Sequence, residues 1–161
     1  MGEVIAQGLN LPLEDRQVIR RAALLHDIGK LSAPNSILDK QGRLTSSEWE
    51  TIRLHPYFSE RILERIAGFE EVAFLAEAHH ERRDGKGYFR SLKTGQIPMK
   101  ARLLDVADVY EALAAERPYH PSRGHEEAMK ILKDDAQSNR LCPQCVEVLA
   151  STTELQCAGA A

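Results

Sequence analysis

Six residues of this chain combine imidazole and carboxylate chemistry at points where helices should end or face each other. His26 and Asp27 are adjacent, His55 precedes Pro56, His79 and His80 are adjacent, and Asp108 interrupts an apolar run. Imidazole nitrogen with carboxylate oxygen is a donor set that suits borderline divalent cations. Taken singly, each position has a plainer reading. A His-Asp pair is usually a polar helix end, and Asp108 either faces solvent or needs a partner, because burying an unpaired carboxylate is costly. Taken together, four of the six histidines and two carboxylates on four helices favour a metal site.

The segment after the histidine pair, "ERRDGKGYFR", adds a second kind of chemistry. Arg82, Arg83, Lys86 and Arg90 concentrate positive charge in a chain whose net charge is −3. That balance gives no general attraction to duplex nucleic acid or anionic membranes, so any anion binding is local. Gly85 and Gly87 allow a backbone to turn tightly or approach a ligand closely. Tyr88 offers a ring for stacking and a hydroxyl for hydrogen bonding. The alternative is a solvated basic loop with no ligand.

These residues depend on helices. Apolar spacing is helical nearly throughout, with no convincing alternating strand and no repeat. Helices are expected at residues 2–8, 13–27, 45–55, 57–66, 70–80 and 98–115, then from Ser122 or Gly124 to about Ala136, with a short one opening at Pro143. Thr45 and Glu48 form a capping-box pair, and Pro56 must kink or restart its helix. The expectation is an all-α bundle of about six or seven helices forming a single domain over residues 1–161, with residues 151–161 as a frayed tail.

Nothing in the 161 residues suggests a membrane span or a leader peptide. Cys142, Cys145 and Cys157 are too few and too clustered for a disulfide framework, which points to a reducing cytoplasm. The "CPQC" spacing is that of half a metal clip, and Cys145 reads better as a core position. Trp49 reads as packing and His125 as a polar residue in a helix's first turn.

In order along the chain, "HDIGK", "HP", "HHER-DG-GY" and "ARLLDVAD" resemble the HD-GYP subgroup of the HD-domain metal-dependent phosphohydrolases. The resemblance runs from about Ala22 to Tyr119, and more weakly to about Ala150. It implies an HD-domain helical bundle and two divalent metal ions, iron, manganese or similar. His26 and Asp27 would be ligands, with Asp27 bridging both ions and catalytic. His55, His79 and His80 would complete one metal site and Asp108 the other. Lys30 would contact the substrate phosphate as a catalytic residue. Arg83, Lys86, Tyr88 and Arg117 would bind substrate. The implied reaction is hydrolysis of cyclic di-GMP, a bacterial second messenger, to linear pGpG or GMP.

The chain departs from that pattern in places. Phe89 stands where the signature has proline, Glu111 where aspartate is usual, Ala114-Ala115 where Thr-Ser is usual, and His120 where a cation is common. The family's further upstream histidine would fall before Met1, so the family's first helix is expected to be lacking. Three functions therefore stay open: a cyclic di-GMP phosphodiesterase, a degenerate domain that binds metal, nucleotide or signalling-protein partners without turnover, and an HD phosphohydrolase for another nucleotide.

Overall fold

One helix, Met99–Ala114, is apolar on two sides and organises the molecule around itself. The computed structural model describes residues 1–115 and 123–158. Their order is α1 (Gly2–Gly8), α2 (Leu13–Leu25), a 3₁₀ turn (Ile28–Ser32), α3 (Asn35–Leu38), α4 (Ser46–Arg53), α5 (His55–Leu63), α6 (Glu70–Ala78), α7 (Met99–Ala114), α8 (His125–Gln137) and α9 (Pro143–Ala158). No strand occurs among the described residues, so the all-α expectation holds. The number of α-helical segments exceeds six or seven because α3 is a single turn and the chain breaks between α4 and α5.

Leu103, Val106 and Tyr110 of α7 pack with Ile5, Ile19, Leu132 and Leu149 in one core cluster. Ala101 and Leu104 of the same helix pack with Leu63, Val72, Leu75 and Ile97 in a second. Each fully buried leucine, isoleucine or valine contributes roughly 1.5–3 kcal/mol relative to exposure. That burial fixes the angles at which α2, α6 and α7 present their polar residues. Lys100 reinforces the arrangement: its ammonium lies 2.6 Å from Asp15 of α2 and also pairs with Glu71 of α6.

Local sequence explains where the elements stop. Thr45 Oγ1 accepts the Glu48 amide hydrogen at 3.3 Å, and Glu48 Oε2 accepts the Thr45 amide hydrogen at 2.7 Å, so the capping box forms. Pro56 sits in the first turn of α5, where its missing N–H costs nothing. The expected helix over residues 13–27 ends earlier, at Leu25, with His26 as its cap and Asp27 leading into the 3₁₀ turn. The reason is close packing against α5. A Cβ on Gly29 would stand 2.0 Å from the His55 carbonyl oxygen and 2.5 Å from the Ser59 nitrogen. Ser59 Oγ donates to the His26 carbonyl at 2.6 Å and accepts from the Gly29 amide at 2.9 Å.

At the other end, α9 runs to Ala158 and is longer than the short helix its sequence suggests. Cys142 and Cys145 are both buried in the first core cluster, as expected of Cys145. Among the described residues, no helix is long and apolar enough to cross a membrane.

Candidate metal centre

Three histidines are oriented by the same device. The ring Nδ1 of His26 lies 2.9 Å from the Ala23 carbonyl oxygen, that of His55 2.8 Å from Ile52, and that of His79 2.6 Å from Ala76. A carbonyl oxygen only accepts, so each Nδ1 must carry the hydrogen. In the neutral ring this leaves Nε2 with its lone pair pointing away from its own helix, as metal-binding histidines are commonly held.

Those Nε2 atoms converge. His55 Nε2 and His79 Nε2 are 3.2 Å apart, and both side chains are buried. Asp27 Oδ1 lies 3.2 Å from the first and 4.0 Å from the second. His26 Nε2 is 3.6 Å from Asp27 Oδ2 and 3.6 Å from Asp108 Oδ1, yet it is buried with no hydrogen-bond partner. His80 completes the cluster, its ring centroid 3.9 Å from that of His79 and 5.0 Å from that of His55. Two donor sets result, His55–His79–His80 and His26–His79–Asp108, with the potential ligand atoms in each within 4.8 Å of one another. Asp27 stands between the sets through its contacts to His26 and His55.

The electrostatics suit a cation. Burial would raise the Asp27 carboxyl, but contacts with His55 and Lys30 hold it well below the usual carboxylate range. Burial also works against ionisation of Asp108, and the His26 contact overcomes it. Burial, with the neighbouring rings, pushes His79 far below an ordinary histidine and His80 down to about 3. Burial disfavours charge on His26 too, yet the adjacent Asp108 and Asp27 raise it. The carboxylates therefore attract one positive charge to this point: a proton on His26, or a metal ion in its place. The facing Nε2 atoms of His55 and His79 and an orphaned Nε2 on His26 are what a metal-binding set requires, so the residues fit divalent ions.

Lys30 Nζ lies 2.6 Å from Asp27 Oδ2. The pair is about two-fifths exposed, so it adds only about 0–1 kcal/mol to stability. Its value is positional: an ammonium held at the rim of the histidine cluster.

A cleft of about 330 Å³ opens beside His80, lined by Trp49, Arg53, Lys86, Tyr88 and Arg140 among others. Tyr88 stacks near His80, ring centroids 4.8 Å apart, and the Arg53 guanidinium covers the Tyr88 ring at 4.8 Å. The turn that delivers Tyr88 is held from within. Glu81 accepts the amide hydrogens of Arg90 at 2.6 Å and Leu92 at 2.7 Å. A Cβ on Gly87 would stand 2.3 Å from the Arg82 nitrogen, so only glycine fits there.

Of the residues singled out in the sequence, His26, Asp27, Lys30, His55, His79, His80 and Asp108 come together, and Lys86 and Tyr88 line the cleft. Arg83 does not join them. Its amide and guanidinium donate to the carbonyls of Arg140 and Leu141, so it ties the loop to the α8–α9 connection. Arg90 also turns away, pairing with Glu77 at 2.7 Å and Glu60 at 3.0 Å. Arg117 lies outside the described residues. Trp49, read from sequence as packing, is about half exposed and walls the cleft. Sequence reasoning gave no role to Arg53, Asp105 and Arg140 of the cleft or to Glu81 of the loop; Glu81 and Asp105 stand inside the "HHER" and "ARLLDVAD" segments and could have been found there, whereas Arg53 and Arg140 carry no motif.

The chain is similar to known proteins over most of its length. A family model described as HD domain matches residues 1–144. The chain is 39% identical over 153 residues to 3'3'-cGAMP-specific phosphodiesterase 3 of Vibrio cholerae, covering 95% of this chain and 33% of that protein. It is 40% identical over 149 residues to the cyclic di-GMP phosphodiesterase response regulator RpfG of Xanthomonas campestris pv. campestris, covering 91% and 39%. The crystal structure of the cyclic GMP-AMP specific phosphodiesterase V-cGAP3 of V. cholerae aligns with a TM-score of 0.55 at 35% identity, over 96% of this chain and 34% of that one. The chain thus spans about a third of the length of the curated relatives it matches.

Proposed function

This chain belongs to the HD-domain family, and from that premise we propose that it is a metal-dependent phosphodiesterase that opens a cyclic dinucleotide, cyclic di-GMP or a close analogue, to a linear product. The observation that carries the reading is the meeting of His55 Nε2 and His79 Nε2 at 3.2 Å beside the Asp27 carboxylate. Two imidazoles whose Nδ1 atoms are committed to backbone carbonyls turn their Nε2 atoms toward one point, where a cation would be held. The kinship with proteins named for cyclic dinucleotide hydrolysis supports the substrate class.

His55, His79 and His80 would hold one divalent ion and His26, Asp27 and Asp108 the other, with Asp27 shared between them and iron or manganese suited to this mixed donor set. Bound there, such ions supply Lewis acidity toward phosphate oxygen and lower the pKa of water for attack on phosphorus.

The chain's own residues do the rest. Asp27 and Asp108 offset only two of the four positive charges that two divalent ions carry, so a phosphodiester is attracted to the surplus. Lys30, anchored to Asp27 Oδ2, presents its ammonium to a phosphate oxygen and stabilises charge that builds there. Burial keeps His79 and His80 neutral, so no proton has to leave them before ligation. Arg53, Lys86 and Tyr88 flank the cleft next to the cluster, where the remainder of a dinucleotide can be held.

The test is incubation with cyclic di-GMP and with 3'3'-cGAMP under anaerobic conditions with Mn²⁺ or Fe²⁺, followed by separation of the products. Linear dinucleotide or mononucleotide is expected, and Asp27→Ala should abolish it. Metal-loaded protein that binds nucleotide but leaves it intact would favour the non-catalytic binding reading instead.

A further inference from the structure

Next to the histidine cluster, the cleft holds one group that metal binding leaves unused. Asp105 precedes Asp108 by one turn on α7, is only 8% exposed, and lines the cleft. Among the described residues its side chain makes no hydrogen bond and no ion pair. Burial, with Asp108 and Asp135 nearby, pushes its carboxyl well above the usual range. With no hydrogen bond, and only the charges of Arg140 and Arg82 to offset its burial, such a carboxyl lowers the stability of the ligand-free fold, and that loss is recovered when a ligand supplies donors.

The surroundings define the ligand. At about 330 Å³ the cleft has room for one nucleoside. Trp49 stands in its wall, about half exposed, as a stacking surface for a base. Arg140 also lines it; one guanidinium nitrogen is held by Asp135 at 2.7 Å, which orients the fork and leaves other N–H groups to donate. A carboxyl paired with a guanidinium matches guanine. Ionised on binding, with the charges of Arg140 and Arg82 offsetting its burial, the carboxyl accepts from N1–H and the exocyclic amine, and the Arg140 guanidinium donates to O6 and N7. Adenine reverses both relations along that edge, with a bare N1 and an amine in place of O6.

We propose that the cleft beside His80 is a guanine-selective base pocket and that Asp105 is the residue that selects the base. The inference rests on the cyclic dinucleotide reading of the site, and it extends that reading to the choice of base.

The chain contains a single tryptophan, Trp49, so its fluorescence reports on this cleft directly. The experiment titrates the full chain with GMP and with AMP and follows Trp49 emission, with thermal melting recorded on the same samples. GMP should bind more tightly than AMP by about tenfold. Asp105→Ala should reduce that preference, chiefly by weakening GMP, and should melt no lower than the parent chain because a buried carboxyl with no hydrogen bond is removed. Asp105→Asn preserves side-chain volume and serves if the alanine chain fails to fold; it should also reduce the preference by removing one acceptor. Equal affinity for the two nucleotides, binding of neither, or a GMP:AMP ratio unchanged in both variants would overturn the proposal. No turnover is measured, so failure of the pocket is distinguishable from failure of the phosphodiesterase reading.

Discussion

The Nε2 atoms of His55 and His79 lie 3.2 Å apart, each on a ring whose other nitrogen is committed to a backbone carbonyl. His79 is fully buried and stands in both donor sets, so its one Nε2 lone pair is central to whichever ion it ligates, and its removal should cost that ion. Loss of an outer-shell partner of a metal ligand typically costs 10–100-fold in affinity. His79→Ala, which removes a ligand itself, should exceed about 100-fold. Metal titration of the variant against the parent chain checks this, and an unchanged affinity would remove His79 from the site.

Lys30 separates binding of metal from handling of substrate. Its ammonium touches Asp27 but lies outside both histidine sets. Lys30→Met should retain the metal content of the parent while lowering kcat/KM for cyclic dinucleotide by about 10²-fold, the scale seen when one donor to developing charge is lost. Parallel elemental analysis and kinetics decide the matter. A fall in metal content matching the fall in rate would show that Lys30 acts on the ligands instead.

Glu81 is a buried anchor for the loop, accepting the amide hydrogens of Arg90 and Leu92. Hydrogen bonds to a charged group contribute about 1.5–3 kcal/mol each. Glu81→Ala should therefore lower stability by at least about 2 kcal/mol, with proteolytic cleavage appearing first within residues 82–96. Denaturant melts and limited proteolysis read both effects. A variant with unaltered protection across that loop would contradict the anchoring role.

Glu48 gives a pH signature away from the metal centre. Contact with Lys40, then the Thr45 amide, holds its carboxyl down to about 2, from an ordinary value of 4.5. A depressed carboxyl stabilises the fold above its unfolded pKa. That contribution is complete above pH 4.5 and fades as pH falls from about 4.5 to about 2. Glu48→Gln should melt below the parent chain at pH 6, and the gap should narrow steadily toward pH 3. A constant gap over that range would place the stabilisation elsewhere.

Much of this was readable before the fold was known, for identifiable reasons. Helix ends marked by Thr45-Glu48 and Pro56 are local signals, and their side chains act within a turn or two. The metal ligands stand in short motifs at helix ends, so sequence alone could nominate His26, Asp27, His55, His79, His80 and Asp108. What stayed hidden depends on contacts between distant segments. Arg83 looked like part of a basic rim, yet its partners are the carbonyls of Arg140 and Leu141, far along the chain. Trp49 looked like core because the cleft it walls is completed by α7 and α8. Asp105 passed unnoticed in an apolar helix because its exposure to the cleft is set by what packs around α7.

The central claim is that the imidazole and carboxylate cluster around His79 is a two-metal site. Elemental analysis of the chain, reconstituted anaerobically with Mn²⁺ or Fe²⁺ and freed of unbound metal, tests it most directly. The account predicts two divalent ions per chain in the parent and a clear loss in His79→Ala. Parent protein that retains no metal under those conditions would contradict it.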